Sequence, residues 1–356
     1  MTGRQRIMRA ASVQCLSPIP RPSTAAATRF LSSTSLRSQP ARIPLDIPPP
    51  FPVTKICPEP SCSCPSTPSM PAPIDFDQPL NGTMAAYAQQ LLVCTGQPDW
   101  TSRIEEDGQD QNWGELVRGL KRLLGRGGKY ADPFNNVLVT NSSFLPSSST
   151  STATSQTASA FLFPSFKYFP SIPVNLSEST DFKTDVSTFV RAFLLPSESR
   201  HGGKTREDGL ASEFPDAVDL QHSPVVLICG HGGRDMRCGV MAPVLEKEFQ
   251  RVLQSKGFAS AGSDNSVIDH PDHAHIGLIS HVGGHKYAGN VIVYIPPGMK
   301  EAGSSVVHPL AGKGIWYGRI EPKHVQGVVE ETILGGKVIT DHFRGGIDHD
   351  GGILRL

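Results

Sequence analysis

The sequence predicts an α/β fold: a carboxy-terminal domain with a sheet of about four strands and flanking helices, preceded by a smaller mixed α/β amino-terminal domain. Three observations carry this. Short apolar runs bounded by Gly, Pro and polar residues alternate with segments whose apolar residues recur every three or four positions. All twelve histidines lie at or after position 201, so a histidine-free half precedes a histidine-bearing one. A polar, Gly-bearing stretch at 197–216 separates the two.

Residues 1–45 carry seven Arg (4, 6, 9, 21, 29, 37, 42), many Ser, and no Asp or Glu. That is the composition of a mitochondrial targeting segment. Arg29-Phe30-Leu31-Ser32 also resembles a matrix-protease site, and prolines 18, 20 and 22 confine an amphipathic helix to 3–16. The expected location is the mitochondrion, in the matrix, with the intermembrane space as the alternative. Because the whole chain has zero net charge, residues 46–356 carry −7, which argues against nucleic acid as a partner. No uncharged apolar run approaches the roughly 18 residues of a membrane helix, so no membrane span is expected. Seven cysteines (15, 57, 62, 64, 94, 229, 238) are too few for a disulfide scaffold of 356 residues.

Residues 46–75 form a Pro-rich, extended arm bearing Cys57, Cys62 and Cys64. Stiff and exposed, its thiols are candidates for disulfide exchange; incidental surface thiols are the plain alternative. A Cys62–Cys64 ring would be strained, which leaves Cys57 or Cys94 as the better partner for either.

The amino-terminal α/β domain is placed at 76–200. Its expected elements are a helix at 83–92 running into a strand at 91–94, and an amphipathic helix at 113–124 with Leu116, Val117, Leu120, Leu123 and Leu124 on one face. Strands follow at 136–140 and 160–163, around a disordered Ser/Thr-rich insertion at 142–159. A helix at 181–195 is stopped by Pro196. The carboxy-terminal domain, 217–356, reads as a buried strand at 224–228, a helix at 243–256 with Pro243 near its first turn and Gly257 after it, and strands at 276–280, 291–295 and 315–320. A helix at 322–334 ends at Gly335. The order β-α-β, then β-β-α, is a thioredoxin-like arrangement. No repeat of period 20–50 is present.

Two glycine-rich turns in this second part carry the chemistry: Cys229-Gly-His-Gly-Gly-Arg-Asp-Met-Arg-Cys238 and His281-Val-Gly-Gly-His285. Each follows an apolar strand. Two thiolates and two imidazoles are the donor types of a 2Fe–2S cluster, and glycines let the backbone approach an inorganic core. Cys229, Cys238, His281 and His285 are the candidate ligands. If a helix starts at the second turn, both imidazoles face one way. Three other readings use the same residues: a tetrahedral zinc site, for which eight residues between the cysteines is loose; a Cys229–Cys238 dithiol or disulfide; and unrelated buried thiols and core histidines. Around them, Arg234, Asp235, Arg237, Gly283 and Gly284 are expected to order the loops, with Arg237 also placed to tune charge. His231 reads as a supporting or surface group, because position 241, where a Rieske-type His would stand, is Met. The run Asp269-His270-Pro-Asp272-His273-Ala-His275 reads as a solvated loop, and Trp100 as a core residue. No Gly-rich phosphate loop ending in Lys-Ser/Thr and no Ser-His-Asp arrangement appears.

The spacing Cys229-x8-Cys238 with Arg234-Asp235, the segment Ser280-His281-Val-Gly-Gly-His285-Lys-Tyr-Ala-Gly-Asn290, and Thr95-Gly-Gln-Pro-Asp99-Trp100-Thr-Ser-Arg-Ile104-Glu105 resemble the sucrase/ferredoxin-like family. The resemblance implies a carboxy-terminal thioredoxin-like ferredoxin domain. It places the ligands at Cys229 and Cys238 and, where ordinary members of the thioredoxin-like ferredoxins have Cys-x3-Cys, at His281 and His285. Two neutral imidazoles in place of two thiolates raise the potential toward the Rieske range, roughly −150 to +300 mV, and couple electron to proton transfer. The expected function is mitochondrial electron transfer between protein redox partners, with a thiol-disulfide oxidoreductase and a zinc-stabilised interaction module as alternatives.

Overall fold

Fourteen strands and four helices follow one another in the described residues: β1 (Val53–Thr54), β2 (Gln89–Cys94), α1 (Asn112–Leu124), β3 (Val137–Ser142), β4 (Thr157–Phe163), β5 (Lys167–Pro173), α2 (Val186–Phe189, prolonged by a π-helical turn Val190–Leu194), β6 (Val218–Asp219), β7 (Val225–Cys229), α3 (Met236–Ser255), β8 (Ala259–Ser260), β9 (His273–Ile279), β10 (Val291–Ile295), β11 (Lys313–Tyr317), α4 (Pro322–Gly327, prolonged by a π-helical turn Val328–Leu334), β12 (Val338–Ile339), β13 (Phe343–Ile347) and β14 (Ile353–Leu354). The computed structural model describes residues 48–61, 63–147, 156–175, 185–198, 202–260, 267–301 and 303–356. The expected targeting segment, Cys62, the middle of the Ser/Thr-rich insertion and the start of the helix expected at 181–195 lie outside them.

A 12-stranded mixed sheet runs in the order β14-β13-β11-β10-β7-β9-β3-β2-β4-β5-β6, with β8 beside β9; β1 and β12 form a separate parallel pair. Within the sheet one topology occurs twice. β2 is parallel to β3 and antiparallel to β4, which is antiparallel to β5, and α1 and α2 connect and follow these strands. β7 is parallel to β9 and antiparallel to β10, which is antiparallel to β11, with α3 and α4 in the corresponding places. The two sets join edge to edge where β3 meets β9 antiparallel at Ser142 and Ile279, so the sheet crosses the stretch 197–216 without a break. Residues 48–356 form one compact unit. In this duplicated plan Cys94 ends β2 as Cys229 ends β7.

β7 is apolar throughout and buried along its length. It lies between β9 and β10 with cores on both sheet faces, which is why its hydrophobicity does not alternate. A polar relay links the two strand sets inside the core. Trp316 Nε1–H donates to the Tyr87 hydroxyl at 2.9 Å, Tyr87 pairs with the Tyr294 hydroxyl at 2.8 Å, and Tyr294 donates to Gln90 Oε1 at 2.7 Å.

Several expected elements shift. The helix expected at 83–92 is absent: Gln90 to Cys94 are buried between β3 and β4, and pairing on both edges overrides local helix propensity. The helix expected from Pro243 begins seven residues earlier, at Met236. Asp235 is its cap, its carboxylate accepting from Arg237 N–H at 3.0 Å. Pro243 sits in the helix interior, where it lacks the N–H that would bond the carbonyl four residues back. Ser142 and 157–159, expected in the insertion, belong to β3 and β4. The strands β5, β12, β13 and β14 had no counterpart in the sequence reading.

Candidate functional site

The site sits where β7 and β9 end and α3 begins. Cys229 is the last residue of β7, and its N–H is bonded to Asn290 O at 2.9 Å. Cys238 lies in the first turn of α3, not ahead of the helix as expected; its N–H bonds Asp235 O at 3.0 Å. Both thiols are buried and free. Cys229 is within hydrogen-bonding reach of both Cys238 and His281. The Cys238 thiol donating to Cys229 draws the Cys229 pKa well below its ordinary value, with His281 adding to this. The same contact, with burial, holds Cys238 protonated.

His281 and His285 come from the turn after β9. A short 3-10 turn, His285–Tyr287, follows, and the two rings stand 5.2 Å apart between centroids. Nδ1 of both histidines is buried and has no hydrogen-bond partner. The outer edge of the His285 ring reaches toward Asp235, with Nε2 3.9 Å from Oδ2. Burial lowers the His285 pKa, and Asp235 partly offsets that. Gly283 and Gly284 take φ of +88° and +77°, which only glycine adopts at little cost.

Two buried side chains, His231 and Arg344, hold these turns. His231, expected as a supporting or surface group, is buried. Its Nδ1 accepts from His281 N–H at 2.9 Å, so Nε2 carries the proton and donates to Thr101 O at 2.8 Å and Trp100 O at 3.1 Å. Arg344 is fully buried behind the second turn. It donates to Gly283 O (3.1 Å), Asn290 Oδ1 (2.7 Å), Thr83 O (2.9 Å) and Thr83 Oγ1 (3.1 Å). Asn290 in turn donates to Gly284 O at 3.0 Å. The sequence signal for Arg344 is a lone charge in the strand Phe343-Arg-Gly-Gly-Ile347.

Among the loop residues, Asp235 and Arg237 form a two-pronged ion pair, with Nε–Oδ1 3.0 Å and Nη2–Oδ2 2.8 Å. This holds the Asp235 carboxyl down to about 2. Arg237 also donates to Pro73 O at 2.8 Å. Arg234 is exposed and reaches Ser102 Oγ at 3.3 Å. The segment around Trp100 covers the cysteine loop: Asp99 accepts from Gly233 N–H at 3.1 Å, and a Cβ on Gly233 would fall 2.2 Å from Trp100 O. Trp100 itself is core, as expected.

Of the thiols of the Pro-rich arm, Cys57 lies away from this site. Cys57, expected to be exposed, is buried against α4, with Sγ donating to His324 O at 3.5 Å, and burial pushes its thiol up to about 12. Cys64 is half-buried. Cys94, in the position matching Cys229, is pushed up to about 12 by burial among the hydroxyls of Ser159 and Ser142. The histidine run 269–275 is partly structural: Asp269 accepts from the N–H groups of Gln221, His222 and Ser223, and His275 is buried in β9.

Two thiols within reach of each other and of His281, with His285 on the same turn and a buried, unpartnered Nδ1 on each ring, suit the donor chemistry of a two-iron cluster. Among the described residues, no three His, Cys, Asp or Glu side chains gather as the ligands of a single metal ion do.

The sucrase/ferredoxin-like family model matches residues 80–345. Altered inheritance of mitochondria protein 32 from Meyerozyma guilliermondii is 31% identical over 311 residues, covering 81% of this chain and 93% of that protein. Its namesake from Debaryomyces hansenii is 29% identical over 307 residues, 81% of this chain and 94% of that one. Actin patches distal protein 1 of Saccharomyces cerevisiae is 34% identical over 120 residues, 34% of this chain and 33% of that protein. No solved structure matches at a significant level.

Proposed function

The chain belongs to the sucrase/ferredoxin-like family, and from that premise we propose that Cys229, Cys238, His281 and His285 hold a 2Fe–2S cluster in a thioredoxin-like domain, and that the protein carries single electrons between protein partners in the mitochondrion. The observation that carries this reading is the pair of buried, unpartnered Nδ1 atoms on His281 and His285. A buried polar atom without a partner costs free energy, and here two of them belong to the residues the family pattern marks as ligands. When bound, the cluster supplies one-electron chemistry.

The protein's own groups have defined tasks. Cys229 and Cys238 supply the anionic pair, His281 and His285 the neutral pair. His231 fixes the main chain at His281, and Arg344 with Asn290 fixes the turn between the histidines. Asp235 faces the outer nitrogen of His285 at 3.9 Å, where one water can pass a proton to solvent. A zinc site needs all four donors converging on one point. Ligands divided two and two over separate irons do not need that convergence. The names of the relatives, which refer to mitochondrial inheritance, support the compartment.

A second reading is favoured by the two thiols within reach of each other. As a dithiol, Cys229 and Cys238 would give up two electrons and two protons to a partner disulfide, forming their own S–S bond while the partner becomes two thiols.

Anaerobic reconstitution of the full chain with iron and sulfide tests the first reading. Visible charge-transfer bands and a paramagnetic signal after one-electron reduction are expected. Folded protein that stays colourless, with Cys229 and Cys238 recovered as a disulfide after mild oxidation, would replace it with the second.

A further inference from the structure

Arg344 is a charge without an ion-pair partner. Among the described residues it makes no salt bridge with any Asp or Glu, and its four hydrogen bonds all go to neutral oxygens. Its guanidinium lies 5.4 Å from the Tyr287 ring centroid and 5.9 Å from that of Trp316, contacts that favour a cation. Its fork donates to Gly283 O, between the two histidines, and to the side chain of Asn290, whose main-chain carbonyl accepts from Cys229 N–H at 2.9 Å. A buried cation is costly unless something compensates it, and the two cysteines are the groups that the proposed site would make anionic.

We propose that Arg344 is the fixed counter-charge of the Cys229/Cys238/His281/His285 centre as well as the residue that shapes its histidine turn, and that it thereby favours the reduced state. This rests on the cluster reading given above. Two thiolates and two neutral imidazoles around a 2Fe–2S core are electrically neutral when both irons are ferric, and one negative charge is added when one electron arrives from a one-electron donor. That charge appears beside a guanidinium with no carboxylate of its own. The geometry keeps the guanidinium in place. Thr83 holds one edge of the fork, Asn290 and Gly283 the other, and a Cβ on Gly284 would fall 2.4 Å from Nη2. Arg344 acts through charge and through the main chain of the turn, so it is a positioning residue.

The test is the midpoint potential of the reconstituted full-length protein, read by optical titration with dithionite and one-electron mediators. Arg344→Met removes the charge. Arg344→Lys keeps it. Asn290→Asp leaves Arg344 in place but sets a carboxylate on its Nη1, now 2.7 Å from the Asn290 oxygen. Arg344→Met and Asn290→Asp are each expected to lose the preference for the reduced state by tenfold or more, about 59 mV for one electron, with Arg344→Lys within threefold of wild type. Should Arg344→Met not fold, Asn290→Asp still decides. A Lys variant as low as Met, or an unshifted midpoint in Asn290→Asp, overturns the counter-charge role. Wild-type protein that develops no visible bands overturns the cluster reading and this proposal with it; visible bands with unshifted variants overturn this proposal alone.

Discussion

The ring of His231 accepts a hydrogen bond from the main-chain N–H of His281 at 2.9 Å, 50 positions away in sequence, while its other nitrogen donates to the carbonyls of Trp100 and Thr101. One buried imidazole thus ties the cysteine loop, the histidine turn and a loop from the first strand set. Replacing it with Ala or Phe leaves the His281 N–H and a carbonyl without partners inside the protein. Either variant is expected to lose about 1–3 kcal/mol of stability in urea unfolding, and to take up less iron. A loss below about 0.5 kcal/mol in both would show that the bridge is incidental.

The two glycines between the histidines should respond differently to a methyl group. Gly283 has φ +88° and open space around its Cβ direction; Gly284 has φ +77° and Arg344 Nη2 at 2.4 Å. Gly283→Ala therefore pays for a left-handed conformation, about 1–2 kcal/mol. Gly284→Ala pays that and must also displace a buried guanidinium. Thermal melts should rank Gly284→Ala below Gly283→Ala, and equal melts would mean that the turn does not rest on Arg344.

The arm cysteines should not behave as a set. Cys57 is buried with its thiol pushed up to about 12, and Cys94 likewise, so the reactive thiolate is scarce and screened at neutral pH. Mass-spectrometric mapping after native alkylation at pH 7.5 is expected to find Cys64 modified and Cys57 and Cys94 labelled roughly a hundredfold more slowly. Equal rates for Cys57 and Cys64 would restore the picture of an exposed redox arm.

Much of the fold was legible where one signal dominated. The apolar run ending at Cys229, the amphipathic spacing of α1 and the Gly335 stop after α4 all appear close to where the sequence put them. The failures have physical causes. Residues 83–92 carry helix-compatible side chains, but Gln90 to Val93 pair on both edges. The start of α3 is obscured in the sequence by Pro243, a residue type that favours a first turn, whereas the cap is Asp235. The duplicated topology escaped notice because β5 contains Pro170 and Pro173 and does not look like a strand. At the site, the four donor residues were visible from residue type and spacing. His231 was legible as a supporting group from its place in the cysteine loop, though not its partners 50 and 130 positions away; Arg344 was not legible, because its importance lies in contacts that span up to 261 positions.

Acid should destabilise the fold before any carboxylate is titrated. Burial holds His308 and His324 down to about 4, and holds His275 and His342 below the usual histidine range. In the unfolded chain these rings titrate near ~6.5. Above that pH neither state binds the proton. As pH falls from about 6.5 toward 4, the unfolded chain takes up protons that the folded chain refuses, so stability drops, by at most about 1.4 kcal/mol per pH unit for each ring. The urea midpoint should fall steadily from pH 7 to pH 5. A flat profile over that window would show that the buried rings are solvated or already charged.

The central claim is that His281 and His285 bind iron through ring nitrogens. Electron–nuclear double resonance on the reduced, reconstituted protein, with 15N-labelled histidine as the comparison, addresses it directly. Two strongly coupled histidine nitrogens are expected, one of which disappears in His285→Cys while the cluster persists with an altered spectrum. A reduced cluster that shows no strongly coupled histidine nitrogen, or whose spectrum is untouched by His285→Cys, would contradict the account.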